Sequence, residues 1–279
     1  MKKLLLSAFV ICLAGTSIAQ ESPLWMRHCA LSPDGTTIAF TYKGDIYTVP
    51  STGGRATQIT TNPAFDTEPV WSPDSKQIAF ASDRMGSLDV FVVSSEGGAP
   101  QRLTTHSGSE KPVAYKDNKH ILFTANIAPS AEDAGFPSGQ FQQVYEVAVT
   151  GGRPAMFSSM PMECISINKE GVMLYQDKKG YEDYWRKHQV SPIARDIWTY
   201  TPGKKPVYQK QTTFGGEDRE PVWSPDGKSF YYLSEEKGSF NIFQRTPGTT
   251  TSQQITFHTK HPVRFLSIST TGTLCYGYD

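Results

Sequence analysis

Residues able to do chemistry are thinly spread along this chain, and their densest stretch runs from Gly180 to Arg195. Tyr181, Tyr184, Trp185, Arg186, Lys187, His188 and Arg195 fall within it. Aromatic faces beside cationic groups suit contact with a peptide backbone, a C-terminal carboxylate or a partner surface. Tyr184, Trp185, Arg186, His188 and Arg195 are therefore the candidate peptide- or partner-binding residues. A structural role competes with this one: Trp185 would staple the segment onto its neighbours, with Arg186 or Arg195 paired to Asp183 or Asp196. A second stretch, 127–140, carries Pro129, Ser130, Ala131, Gly135, Pro137 and Gly139 and reads as a lid or a surface loop.

Other constellations carry less. His258 and His261 have the spacing of two ligands on one helix face, but they fall in a strand-to-strand connection, where that spacing points side chains apart. Neither a metal site nor a cofactor is expected. Ser138, in Phe136-Pro137-Ser138-Gly139, lacks the strand-to-helix elbow that presents a nucleophile. Glu217-Asp218 and Glu235-Glu236 could share acid/base work only if folding brought them together, and their loop setting predicts solvated charges. The pairs Gly53-Gly54, Gly97-Gly98 and Gly151-Gly152 lack the Lys-Ser/Thr of a phosphate loop and read as hairpin turns. No catalytic residue is assigned.

The elements that must position these residues are set by a repeat. Ser32-Pro33-Asp34-Gly35, Ser72-Pro73-Asp74-Ser75 and Ser224-Pro225-Asp226-Gly227 each precede an alternating apolar run, and looser copies begin at Tyr115, Asn168 and Ser269. Proline presets φ for a turn, Ser and Asp bond nearby amides, and Gly closes the turn in the left-handed region. The copies recur about every 40 to 45 residues, stretched twice by insertions at 127–140 and 180–195, which is the period of four-stranded propeller blades. Third strands align too, as Asp45-Ile46-Tyr47, Asp89-Val90-Phe91, Gln143-Val144-Tyr145, Asp196-Ile197-Trp198 and Asn241-Ile242-Phe243. The expected fold is all-β: a six-bladed β-propeller over 20–279, with blades starting near 25, 66, 108, 162, 218 and 261. The sixth blade is incomplete, because the chain stops at Asp279 after its second strand. Unpaired strand edges are avoided in native proteins, so a longer parent protein is expected.

Met1-Lys2-Lys3, the apolar run Leu4–Ala14 and small residues at Ser17 and Ala19 read as a secretory signal peptide over 1–19. That run is too short to span a bilayer, so no membrane anchor is expected in the mature chain. The full sequence balances 27 basic against 27 acidic residues, which excludes the basic surface that nucleic-acid binding needs. With 15 Phe, 13 Tyr and 5 Trp it has ample apolar mass for a core. Cys29, Cys164 and Cys275 remain after the leader; an odd number in apolar strand context reads as buried free thiols, with one cross-blade disulfide as the alternative.

With the repeats placed, the sequence resembles TolB-type Ser-Pro-Asp-Gly propellers, found in TolB, prolyl-oligopeptidase-type enzymes and tricorn proteases. The segments Gly180–Gln189, Ala194–Trp198 and Pro262–Ser267 resemble the N-terminal six-bladed propeller of secreted bacterial tricorn-like proteases. The likeness covers about Pro23 to Asp279. It implies a non-catalytic module of a periplasmic serine protease that guides or docks peptides for a downstream catalytic domain. The family's catalytic Ser and His map onto no residue here. The partners implied are a peptide substrate or a protein, with a homo-oligomeric parent allowed. The alternative is a TolB-like protein-interaction propeller without protease activity.

Overall fold

The computed structural model describes residues 25–127, 141–180 and 190–278. The expected signal peptide, Ser138, nearly all of the first insertion and the aromatic–cationic core of the second lie outside these residues. The described residues form strands, turns and loops, with no helix long and apolar enough to cross a membrane among them.

Blade 1 comprises β1 (Arg27–Leu31), β2 (Thr37–Tyr42), β3 (Asp45–Pro50) and β4 (Thr57–Gln58). Blade 2 has β5 (Asp66–Trp71), β6 (Gln77–Ser82), β7 (Asp89–Ser94) and β8 (Gln101–Arg102). Blade 3 has β9 (Lys111–Asp117), β10 (His120–Ala125), β11 (Gln143–Ala148) and β12 (Ala155–Ser158). Blade 4 has β13 (Met162–Ile167), β14 (Met173–Asp177), β15 (Ile197–Thr201) and β16 (Val207–Lys210). Blade 5 has β17 (Asp218–Trp223), β18 (Phe230–Ser234), β19 (Asn241–Arg245) and β20 (Ser252–Gln254). A final sheet holds only β21 (Val263–Ile268) and β22 (Leu274–Tyr278). Every sheet is antiparallel in sequence order, and no strand is exchanged between sheets. The propeller class holds, but there are five blades rather than the six expected from the motif count. The Ser-Pro-Asp-Gly turn marks one inner hairpin, so counting turns counts hairpins and not four-stranded blades.

Each turn works as its residue types predict. Ser32 Oγ, Ser72 Oγ and Ser224 Oγ donate to the motif aspartates at 2.6, 2.7 and 2.6 Å. The same hydroxyls accept from Thr37, Gln77 and Ser229 N–H at 2.9 to 3.0 Å. These serine bonds are the main cause that holds Asp34, Asp74 and Asp226 below the usual carboxylate range. Gly35, at φ 78°, has its Cα against Ser269 of the last sheet, so the turn needs both the left-handed angle and the missing Cβ.

A second repeat fixes the outer half of four blades. Thr60, Thr104, Thr212 and Thr256 each place Oγ1 as acceptor for the N–H of Ile46, Val90, Ile197 and Ile242, at 2.9 to 3.0 Å. These third-strand amides are thereby satisfied where the two-to-four-residue outer strands cannot reach them.

The core lies between blades. Ala39, Ile46 and Ile59 of blade 1 pack on Trp71, Ile78 and Phe80 of blade 2, and comparable clusters join blades 2 and 3, 3 and 4, 4 and 5, and blade 5 to the last sheet. Trp71 Nε1 reaches back to Ala30 O at 2.9 Å, and Trp223 Nε1 to Val172 O at 3.1 Å. These two indoles bury their rings between blades and still satisfy their donors.

Thr104→Val keeps the shape of a buried side chain and removes the acceptor of Val90 N–H. We expect a loss of about 1–3 kcal/mol, the cost of an orphaned buried donor, measured as a lower urea midpoint with unchanged m-value.

Candidate functional site

Strand order fixes two unlike ends of the propeller. Turns joining first to second and third to fourth strands lie at one end; they are the Ser-Pro-Asp-Gly and Gly-Gly turns and are short. Connections from second to third strands, and from one blade to the next, lie at the other. Ile127 and Phe141, which flank the first insertion, and Gly180 and Val190, which flank the second, both belong to second-to-third connections. Exposed Phe65, Met85, Met160, Val190 and Phe257 sit on connections of this end too. One end is thus geometrically fixed, and the other carries the variable length and most of the exposed apolar side chains.

Between the ends runs a central channel of about 1040 Å³, lined from Pro33 and Pro225 at the turn end to Lys178 and Arg195 at the loop end. Its wall is the inner strands. In β1, β5, β13, β17 and β21 the register slips by a bulge, and the first bulged residue takes a left-handed backbone, with φ between 50° and 58°. Those residues are His28, Glu68, Cys164, Glu220 and Phe265, and all line the channel. None is glycine, and each such backbone costs of order 1 kcal/mol. Bulges re-aim side chains, and here they turn five of them towards one axis. Pro112 occupies the matching place in β9, where a proline ring cannot reach positive φ.

The lining is charged and cross-linked. Lys111 Nζ pairs with Glu68 Oε1 at 2.6 Å, and the His28 and Phe265 rings lie 4.8 Å apart. Burial is the main cause that lowers the His28 imidazole, against the opposing pull of Glu68. Cys164 is open to the channel yet surrounded by protein; burial first, then the charges of Glu220 and Glu163, push its thiol well up. This corrects the expectation of a buried thiol at that position. Glu220 Oε2 accepts from Leu266 N–H at 2.8 Å, while its own N–H donates to Gln176 Oε1 at 2.9 Å.

Of the five sequence candidates, Tyr184, Trp185, Arg186 and His188 lie outside the described residues. Arg195 is buried at the loop end of the channel and gives Nε to Glu163 at 3.2 Å and Nη1 to Glu217 at 3.4 Å. Asp196, one of the two acids considered for it, is instead held by Lys179 and Lys210. Burial would raise Glu163, but Arg195, Lys178 and Gln176 together hold its carboxyl low. Glu217, Asp218 and Glu235 are buried rather than solvated, because Arg219 joins Glu217 at 2.9 Å and Glu235 accepts from Glu217 N–H at 3.4 Å. His258 and His261 both pack on Tyr278, with ring centroids 4.1 and 5.7 Å away. Among the described residues no three His, Cys, Asp or Glu side chains converge as a metal site.

The channel ring was missed from sequence because its members share position rather than type. One trace of it was legible: Asp66-Thr67-Glu68-Pro69-Val70-Trp71 recurs as Asp218-Arg219-Glu220-Pro221-Val222-Trp223.

A family model described as the tricorn protease N-terminal beta propeller domain matches residues 23–278. The chain belongs to this family. Tricorn protease homolog 1 of Streptomyces coelicolor is 39% identical over 213 residues, covering 76% of this chain and 19% of that protein. The uncharacterized peptidase YuxL of Bacillus subtilis is 32% identical over 108 residues, covering 34% of this chain and 16% of its own. The crystal structure of the tricorn protease matches the fold with a TM-score of 0.75 at 16% identity, over 92% of this chain and 24% of that one. The tricorn-family propeller thus spans about a fifth or less of the length of these two curated relatives.

Two outcomes are expected from the Arg195 network. Arg195→Ala removes the cation shared by Glu163 and Glu217 and leaves Glu217 to Arg219 alone, and thermal unfolding should register a loss of about 1.5–3 kcal/mol, the range for a hydrogen bond to a charged group. Burial pushes Asp218 up to about 7, above its unfolded value of about 3.9. The folded state therefore keeps a proton that the unfolded chain releases, and this contribution to stability is lost as pH rises towards 7. Asp218→Asn should flatten the fall in Tm between pH 5 and 8.

Proposed function

We propose that this tricorn-family propeller is a non-catalytic module of a secreted, periplasmic serine protease, and that it guides or docks peptide substrates for proteolysis by a downstream domain. The observation that carries this reading is the channel with its five bulge-projected side chains. A bore of this size admits an extended chain, and its lining offers both signs of charge beside the apolar face of Phe265. Such a wall holds peptides of varied sequence weakly, which suits passage better than storage. The loop-bearing end, with Phe65, Met85 and Phe257 exposed and both insertions attached, is the entry or docking end in this proposal. Tyr184, Trp185, Arg186 and His188, in the sequence between Gly180 and Val190, are the proposed first contacts with the peptide.

Fluorescence anisotropy with a dye-labelled unstructured peptide tests the channel directly. Cys164→Trp, which puts a large ring into the bore, should weaken binding about tenfold or more, or roughly 1.4 kcal/mol, while Cys164→Ser leaves it unchanged and both keep the circular dichroism spectrum. Binding that survives Cys164→Trp but disappears in the double variant Trp185→Ala, Arg186→Ala would move the contact to the rim and favour a TolB-like protein-interaction role instead.

A further inference from the structure

The junction between the last sheet and blade 1 is built unlike the others. Each of the five sequential junctions buries an apolar cluster, and none of those clusters bridges β21 or β22 to blade 1. Polar bonds hold it instead: Leu31 N–H donates to Ser267 Oγ at 3.0 Å, and Thr270 N–H and Oγ1 donate to Pro33 O at 2.7 and 2.8 Å. This is also the place where parts of the chain more than 230 residues apart must stay together to complete the ring.

Two cysteines meet there. Cys29 lies on β1 and Cys275 on β22, in different sheets. Cys29 Sγ donates to Phe265 O at 3.5 Å, and Ser267, the register partner of Cys275, donates to Cys275 O at 3.4 Å while accepting from Leu31 N–H. Phe265, the acceptor of the Cys29 thiol, lies in the bulge between the register pairs Arg264–Gly277 and Ser267–Cys275, so the Cys29 thiol sits against the part of the ladder that carries Cys275. Both thiols are free and half-buried, and Cys29 lines the channel, which gives small reagents access. Cys164 belongs to β13 of blade 4.

We propose that Cys29 and Cys275 form a reversible disulfide that latches the last sheet to blade 1. A small-molecule or protein disulfide serves as oxidant. The Cys275 thiolate attacks one of its sulfurs, forming a mixed disulfide and expelling one thiolate. Cys29, after losing its proton, attacks the Cys275 sulfur, forms the intramolecular S–S bond and expels the second thiolate. The two protons lost by the protein are taken up by the two leaving thiolates, and the oxidant is reduced by two electrons. The order of attack follows the local chemistry: the neighbouring Cys29 holds the Cys275 thiol low, whereas Cys275 and burial push the Cys29 thiol up. Nucleophilic attack requires the thiolate.

The test is to incubate the chain with oxidised glutathione, block remaining thiols with N-ethylmaleimide and digest with trypsin without reduction. Mass spectrometry should find residues 28–43 joined to residues 265–279, with Cys164 outside the cross-link. The oxidised protein should melt about 5–10 °C higher than the reduced one, as expected for a bond closing a long loop in a chain of this size. That rise should vanish in Cys29→Ser and in Cys275→Ala and persist in Cys164→Ser. Alkylation of both Cys29 and Cys275 after oxidation, a stable glutathione adduct on either, or a cross-link through Cys164 would each overturn the latch.

Discussion

The fold depends on satisfying the free edges of its inner strands. Each sheet places its first strand against the axis, where one row of backbone groups faces no further strand and would template foreign pairing if left bare. Side chains of neighbouring sheets supply the missing partners. Ser267 accepts from Leu31, Glu220 from Leu266, Gln176 from Glu220 and Ser166 from Trp223, all between 2.8 and 3.1 Å. In every case the acceptor belongs to the preceding sheet around the ring and the donor to the following one. At these three of the six junctions the interlocking bonds hold neighbouring inner strands together at hydrogen-bond distance. Apolar clusters between the blades then add about 1.5–3 kcal/mol for each fully buried large side chain.

The same requirement explains the bulges. A regular inner strand would alternate its side chains between the two blade faces, leaving few to meet the axis. A left-handed residue at the bulge breaks that alternation and sends one side chain inward. Local strain and a usable channel wall are therefore two results of one backbone event. Pocket chemistry on this scaffold is set by five positions whose identity the ladder hydrogen bonds do not dictate, so the wall can change without changing the sheet.

Much of the inner architecture was legible because its signals are local. Ser-Pro-Asp-Gly encodes a turn within four residues, and the Asp34, Asp74 and Asp226 carboxylates do in the fold what their neighbours in sequence predict. The threonines at 60, 104, 212 and 256 were equally regular but passed as ordinary strand residues, since a hydroxyl accepting from an amide 14 or 15 positions earlier leaves no composition signal. Glu217 and Glu235 read as solvated because their burial depends on contacts across 18 to 22 positions, Arg195 to Glu217 and Glu217 N–H to Glu235. The motif count reports one inner hairpin per unit: five of the six hairpins are extended to four-stranded blades, and the last sheet holds only its hairpin, the incomplete sixth unit that the sequence predicts. His28, Cys164 and Phe265 share nothing but a dihedral angle, and sequence patterns do not record dihedrals in residues of unrelated type.

Pro112 gives the channel a property that a ring of equal units would lack. At five of six stations a side chain leans inward from a left-handed residue, while at the sixth a short, rigid ring lies along the wall beside the Lys111–Glu68 pair. The channel wall is therefore not a ring of equal units: blade 3 presents Pro112 where every other sheet presents a side chain from a left-handed residue. A quasi-symmetric fold acquires an unsymmetric wall through a single residue that cannot follow the others.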